Sequence, residues 1–293
     1  MKAPAFSYKR ASCIEDALDV LAVYGDRAKV LAGGQSLLPA MNLRLLTPDL
    51  IVDIGSMTEL RSVAVHGATL RIGALTRHVD ILKSAAIAAH APLLSAAVAH
   101  IGHPAVRNRG TIGGSLAHAD PASELPACML ALRATMVVRE KRGERRIAAS
   151  EFFRGIFQTA LSSNELLVAI EIPVAPKHSR SFFHELARRH GDYAIAGVAA
   201  HALVERDVFS TLQLAFFGTG DRPVLASVAA RKLVEVPITP ALISDACAEV
   251  GKELDFLADQ QASNVVRRHL AKVLLARCIA ALLNRPELAV GAA

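Results

Sequence analysis

Two short segments of the chain join adjacent glycines to side-chain hydroxyls: LAGGQSLLPAM at Leu31–Met41 and GTIGGSLAHADP at Gly110–Pro121. Glycine loses more backbone freedom on folding than any other residue, so keeping two such pairs implies positive φ angles or a main chain approached too closely for a Cβ. One chemistry that demands such an approach is anion binding, where several backbone N–H groups converge on a phosphate. In the first segment Gly33 and Gly34 follow the strand-like AKVLA and precede Ser36, so main-chain amides and a hydroxyl can face one anion. In the second, the hydroxyls of Thr111 and Ser115 flank Gly113 and Gly114. Two loops of this kind can hold the two phosphates of one pyrophosphate. The alternative is that each pair only makes a tight turn or bulge, and residue chemistry alone leaves both readings open.

Other nucleotide signatures do not fit. The chain has neither the Gly-x-Gly-x-x-Gly spacing of a Rossmann turn nor the Gly-Lys-Ser/Thr of a phosphate-binding P-loop. FFGTGDRP, residues 216–223, reads as a plain turn between a strand and a Pro-started helix. The cysteines Cys13, Cys128, Cys247 and Cys278 are far apart with no Cys-x-x-Cys pair, which argues against a zinc site or an iron–sulfur cluster on this chain. They read as buried or partly buried thiols. His103, His118 and His190 lie near the second loop or the segment RRHGDYA, yet lone histidines there serve packing or hydrogen bonding more often than catalysis. No side chain is nominated as a general base. Arg188 and Arg189 either attract an anion or solvate a strand edge.

These loops need elements to position them. Ser12 precedes IEDALDVLAVYG, whose Ile14, Ala17, Leu18, Leu21 and Ala22 fall on one helical face stopped by Gly25. Strands AKVLA and LIVDIG then complete a β-α-β unit. SVAVHGATLRIG predicts a hairpin at His66-Gly67. Thr76 caps an expected helix through RHVDILKSAAIAAH, and another begins at Pro92. A helix over 122–132, the strand TMVVRE, the run KRGERR as a hairpin tip, RIAA and the strand ELLVAIEIP lead to a boundary at Pro173–His178. Beyond it, SFFHELARRHGDYAIAGVAAHALVE and STLQLAFFG open an α+β unit. It closes with a helix capped by Ser263, with an apolar stripe from Val266 to Leu282 and a stop at Asn284.

With 293 residues, the chain is long enough for two or three compact units. Its formal charge of +6 raises the question of a nucleic-acid partner, but the basic residues are scattered and the chain has no Trp and three Tyr, a poor stacking platform. No nucleic acid is expected as a partner. The N-terminus lacks a signal-peptide core, and no apolar run of about 18 residues occurs, so neither secretion nor membrane spanning is supported and a cytoplasmic location is expected.

AGGQSLLPAM, RNRGTIGGSLAHADPASELPA and ELARRHGDYAIAGVAA, in this order, closely resemble the FAD-binding medium subunits of molybdenum hydroxylases, the group that includes carbon monoxide dehydrogenase and the heterotrimeric relatives of xanthine dehydrogenase. The likeness spans essentially the whole chain. It implies an α+β, vanillyl-alcohol-oxidase-type (PCMH-type) FAD-binding fold of two α+β subdomains, 1–56 and 57–174, plus a C-terminal α+β domain, 175–293. Carried over by position, it implies that Ala32, Gly33, Gly34, Gln35, Ser36 and Leu37 form the first pyrophosphate loop, and Gly110, Thr111, Gly114 and Ser115 the second. Ile101 would pack near the adenine or ribose, Ser123 and Glu124 would reach the ribityl region, Leu161 would lie at the adenine end, and Tyr193 would lie near the isoalloxazine. Many relatives carry His where this chain has Gln35, whose amide cannot take a charge near neutral pH.

The resemblance further implies an electron-transfer subunit. FAD would sit on this chain, with molybdopterin and [2Fe-2S] clusters on a large molybdenum subunit and a small iron–sulfur subunit, in a dimer of heterotrimers. The rival readings are a self-contained FAD-dependent oxidase with its own small substrate, and a non-catalytic nucleotide-binding scaffold.

Overall fold

The structure is a computed structural model that describes residues 2–289; Met1 and residues 290–293, the outer ends of the first and third expected units, lie outside the described residues. Among the described residues three larger sheets succeed one another along the chain, and residues 153–155 and 158–159 pair in a small two-stranded one. The first is parallel, with Leu50–Asp53 between Ser7–Arg10 and Ala28–Leu31, and Leu50 stands opposite both Ser7 and Ala28. The helix Ile14–Tyr24 buries Ala17, Leu18 and Leu21 as its periodicity predicts, and Gly25, at φ 53°, ends it. The strand Ser7–Arg10 was not expected. Its sequence, SYKR, has no apolar alternation, and its pairing with residues more than forty positions away defines it.

The second sheet is antiparallel, in the order 63–66, 69–73, 166–173, 135–140, 143–148. The hairpin at Gly67 forms as expected. The basic run differs from its expected place: only Lys141 and Arg142 form the tip, while Arg145 and Arg146 lie in the strand Gly143–Ala148. There their guanidiniums fork onto Glu165 and Glu171, which explains why charge is tolerated in a paired strand. The helix expected from Thr76 to His90 is two helices, His78–Lys83 and Ala85–His90. Ser84 interrupts it by capping the second, its hydroxyl accepting from Ile87 N at 3.3 Å. Thr76 instead donates its hydroxyl to the Arg61 carbonyl. Helices Pro92–Val98, Ile112–His118 and Glu124–Ala131 pack over this sheet in one core.

The third sheet runs 179–186, 196–205, 208–217, 224–225 and is antiparallel. Successive residues of a strand face opposite sides, and here both sides are buried. Ala196, Val198, Ala200 and Ala202 pack on the helices Pro240–Glu253 and Asn264–Leu283, while Ala199 joins the core of the second sheet. Gly197 leaves room for the Phe217 ring, which a Cβ there would meet at 2.1 Å. No helix starts at Pro223. A two-residue strand intervenes, and the helix Ser227–Leu233 begins where the Glu253 carboxylate accepts from the amides of Val228 and Ala229. Ser263 caps the last helix and Asn284, at φ 55°, stops it, as expected; Val266, counted in the stripe, is exposed. Arg267, buried in that helix, donates to the carbonyls of Ile195 and Gly218 and pairs with Asp259 at 2.6 Å, locking the helix to the ends of the sheet.

Candidate site at the junction of the two glycine loops

The strand Ala28–Leu31 delivers the first loop at its carboxyl end, and the helix Leu37–Asn42 leaves it. The second loop is stitched to residues 74–78: His78 N donates to Gly110 O, Ile112 N to Thr76 O and Gly113 N to Ala74 O, at 2.8–3.0 Å. This seam carries the second loop against the first. A Cβ on Gly33 would stand 2.3 Å from the Arg109 carbonyl oxygen and 2.8 Å from Gly110 Cα; one on Gly113 would stand 2.5 Å from Ala74 Cβ. These two glycines are therefore accounted for by chain packing against chain. Gly34 is different, being needed for its φ of 72°, and a Cβ on Gly114 would meet the Thr111 hydroxyl at 2.8 Å and, beyond that, only Ala32 Cβ at 3.9 Å.

The amides of Gly33, Gly34, Gln35 and Ser36 donate to no acceptor among the described residues, while Gln35 braces the loop by donating its side-chain amide to Gly33 O at 3.0 Å. In the second loop Gly114 N is taken by its own cap, Thr111 Oγ1, at 3.1 Å. A cavity of about 240 Å³ opens at the junction, lined by Ala32, Gly33 and Thr111 together with Arg61, Arg77 and Arg109. Three guanidiniums around one concavity, beside a loop with unengaged amides, are chemistry suited to an anion. Sequence reasoning missed the three arginines. Arg109 was visible within RNRG beside the loop, but Arg61 and Arg77 reach the cavity only through the fold. Arg61 also donates to the Gly55 carbonyl, and its Nε is buried without a partner.

The expected site residues fall into two groups. Ala32, Gly33 and Thr111 line the cavity, Gly110 lies against Gly33 and Gly114 faces Ala32; Gly34 to Leu37 continue the first loop into its helix, and Ser115 turns its hydroxyl to His78. A second group gathers past the far end of the helix Ile112–His118: Ser123 and Glu124 open the next helix, and the charge of Glu124 acts on the Tyr193 hydroxyl, whose ring is 59% exposed. Ile101 is buried and near this second group, because Gly191 seats against the backbone of Gly102. Leu161 packs against the second-sheet core and does not line the cavity. Of the histidines, His118 stacks on Phe157 at 4.8 Å and His190 on His100 at 6.1 Å. Arg188 donates to the Gln261 carbonyl.

Ser115 Oγ lies 3.2 Å from Nε2 of the buried His78, whose Nδ1 has no partner. Burial, reinforced by the charge of Arg107 and partly offset by the nearby Thr111 backbone, holds this imidazole down at about 4. An unfolded histidine titrates near 6.5. Between those values the unfolded chain takes up a proton that the folded chain refuses, so stability falls as pH drops through that window. The expected loss is about 3 kcal/mol by pH 4. Urea midpoints at neutral and acid pH should show it, and His78→Asn should flatten the slope; an unchanged acid slope in the variant would assign the loss elsewhere.

Among the described residues no helix is long and apolar enough to cross a membrane. Residues 4–175 match the family described as the FAD binding domain in molybdopterin dehydrogenase, and residues 181–282 match the CO dehydrogenase flavoprotein C-terminal domain. The chain is 39% identical over 286 residues to the alpha subunit of the 6-hydroxypseudooxynicotine dehydrogenase complex of Paenarthrobacter nicotinovorans, covering 97% of each chain. It is 37% identical to the glyceraldehyde dehydrogenase medium chain of Sulfolobus acidocaldarius, covering 94% of this chain and 97% of that one. Among solved structures it superposes on a chain of carbon monoxide dehydrogenase from Hydrogenophaga pseudoflava with a TM-score of 0.95 at 32% identity, covering 97% and 99% of the two chains. For quinoline 2-oxidoreductase from Pseudomonas putida 86 the TM-score is 0.91 at 35% identity, with the same coverage.

Proposed function

The chain belongs to the FAD-binding medium subunits of the molybdenum hydroxylases, oxidoreductases of the carbon monoxide and xanthine dehydrogenase family with a PCMH-type fold, and from this we propose that it holds FAD across its two glycine loops and relays electrons. The observation that carries the reading is the convergence of the loops on one cavity lined by Ala32, Gly33, Thr111 and three arginines, with the four amides of Gly33 to Ser36 left without an acceptor in the first loop. The residues fit the group. Ala32 to Leu37 would take one phosphate, and Gly110, Thr111, Gly114 and Ser115 the other. Arg61, Arg77 and Arg109 would offset the diphosphate charge. Ile101, Ser123, Glu124 and Tyr193 would line the remainder, with Leu161 at its periphery. When bound, FAD supplies a carrier able to exchange electrons singly or in pairs.

In this reading the chain's own residues bind, orient and shield the cofactor, and none acts on substrate. Substrate oxidation takes place on a large molybdenum subunit, and electrons arrive through the clusters of a small iron–sulfur subunit, within a dimer of heterotrimers. The medium-chain and complex-subunit names of the relatives support such partners. A cytoplasmic setting fits the four free thiols. Purified alone, the chain is expected to bind FAD and to oxidise no aldehyde or heterocycle; copurified with its partners it should accept their electrons. Substrate turnover by the isolated polypeptide would instead establish a self-contained oxidase, and a chain that takes up no flavin would leave a scaffold.

A further inference from the structure

The imidazole of His78 lies against the second glycine loop and is 2% exposed. Contacts on both of its sides fix it there. The His78 amide donates to Gly110 O at 3.0 Å, and a Cβ on Gly110 would stand 2.9 Å from both Nδ1 and Cε1 of the ring. Gly110 is therefore bare because the imidazole occupies the place of its side chain. The other ring nitrogen, Nε2, lies 3.2 Å from the hydroxyl oxygen of Ser115, in the helix Ile112–His118. Nδ1 is buried and has no hydrogen-bond partner. The contact between Nε2 and Ser115 can be made in either direction, with the serine as donor or as acceptor, and the two choices leave different groups facing the loop.

An uncharged imidazole has one N–H and one bare nitrogen, and the hydrogen bond at one nitrogen decides which is which. A proton on Nδ1 would be a buried donor facing a C–H bond of Gly110 and no acceptor, an arrangement that folded proteins rarely tolerate. It would also make Nε2 the acceptor, consume the Ser115 proton in the bond to the ring and leave only lone pairs of the serine oxygen for an incoming anion. A proton on Nε2 removes both difficulties. The ring then donates to Ser115 Oγ, and the serine O–H is free to turn away from it. We propose that His78 is a positioning residue for the second loop: its ring carries the Nε2–H tautomer, and by donating to Ser115 it holds the serine proton ready for a phosphate oxygen of the bound dinucleotide. The last clause rests on the FAD reading above; the tautomer is a property of the chain itself. Burial, against the nearby Thr111 backbone and with the charge of Arg107, keeps the ring uncharged at neutral pH, so the tautomer is the variable that matters there. The histidine contributes direction, and the arginines of the cavity contribute charge.

The test begins with the flavin-free full chain, ¹⁵N-labelled at histidine and read by long-range ¹H–¹⁵N NMR at neutral pH. Nε2 is recognised by its coupling to both carbon-bound ring protons, and the His78 signals by their loss in His78→Gln. Nε2 should carry the proton and Nδ1 should give the shift of a bare nitrogen; the reverse assignment overturns the proposal. FAD titrations then test the positioning role. Ser115→Ala and His78→Leu should each weaken binding about tenfold, and the double variant no more than either alone, because both act through one hydrogen bond to the phosphate. His78→Gln, whose longer amide can present a donor near the place of Nε2, should recover most of the lost affinity. Full additivity in the double variant defeats the role, as does a His78→Leu chain that binds FAD like wild type. Should His78→Leu fail to fold, His78→Asn takes its place, since its shorter amide does not reach Ser115; equal FAD affinity in the Asn and Gln variants then defeats the role. A chain that binds no FAD counts against the cofactor reading and takes the positioning role with it, while the tautomer stands or falls on the flavin-free spectra.

Discussion

Gly33→Ala is expected to lower the melting temperature by about 10 °C and to yield a chain that retains no flavin. Gly33 is not among the positive-φ residues, so the backbone itself would accept alanine, and the whole cost comes from contact. The added Cβ would stand 2.3 Å from the Arg109 carbonyl oxygen and 2.8 Å from Gly110 Cα, both main-chain atoms that no rotamer change can move aside. Relief requires the two loops to separate. Overpacking of this kind costs about 3 kcal/mol, and at roughly 2–4 °C per kcal/mol in domains of this size the expected shift follows. Separation also opens the cavity, so stability and flavin content fall together. Gly67→Ala serves as the comparison: at φ 59° with nothing within 4 Å of a new Cβ, it should cost only about 1 kcal/mol of backbone strain and leave flavin content unchanged. Thermal unfolding and the visible absorbance of each purified variant supply both readouts. Equal stability of Gly33→Ala and wild type would contradict the loop contact.

Gly114→Val is expected to separate binding from folding. Its Cβ would press on Thr111 Oγ1 at 2.8 Å, with no backbone outside its own helix within 4 Å, so the fold should lose little beyond the Thr111 cap, about 1 kcal/mol. The branched side chain nevertheless projects into the gap between the loops, where the main chain must stay bare for a phosphate to approach. FAD affinity should fall by about a hundredfold or more, equivalent to about 3 kcal/mol. Normal flavin affinity in this variant would mean that the second pair makes a turn and nothing more.

The glycine pairs were conspicuous in the sequence, but not the division of labour within them. Gly33 and Gly113 are glycines because another segment lies on them, Gly34 because of its φ, and Gly114 because one face stays open. Only the three-dimensional packing distinguishes these reasons. Helices whose apolar faces and caps are local, such as Ile14–Tyr24 and the Ser263-capped last helix, were readable. Features that depend on distant partners were not. The polar strand Ser7–Arg10 exists because Leu50–Asp53 lies beside it, Arg145 and Arg146 can sit in a strand because Glu165 and Glu171 face them, and Arg61 and Arg77 come to line the cavity only through the meeting of two separate segments. FAD itself came from the family resemblance, since glycine-loop chemistry alone left a phosphate and a plain turn equally open.

The central claim is that both loops hold one diphosphate, and backbone amide NMR of the ¹⁵N-labelled chain during FAD titration tests it most directly. The amides of Gly33, Gly34, Gln35 and Ser36 should shift in step with those of Thr111, Gly114 and Ser115, saturating at a single stoichiometric equivalent, while a single-phosphate flavin should leave one of the two sets unmoved. Binding of FAD with either loop silent would contradict the account.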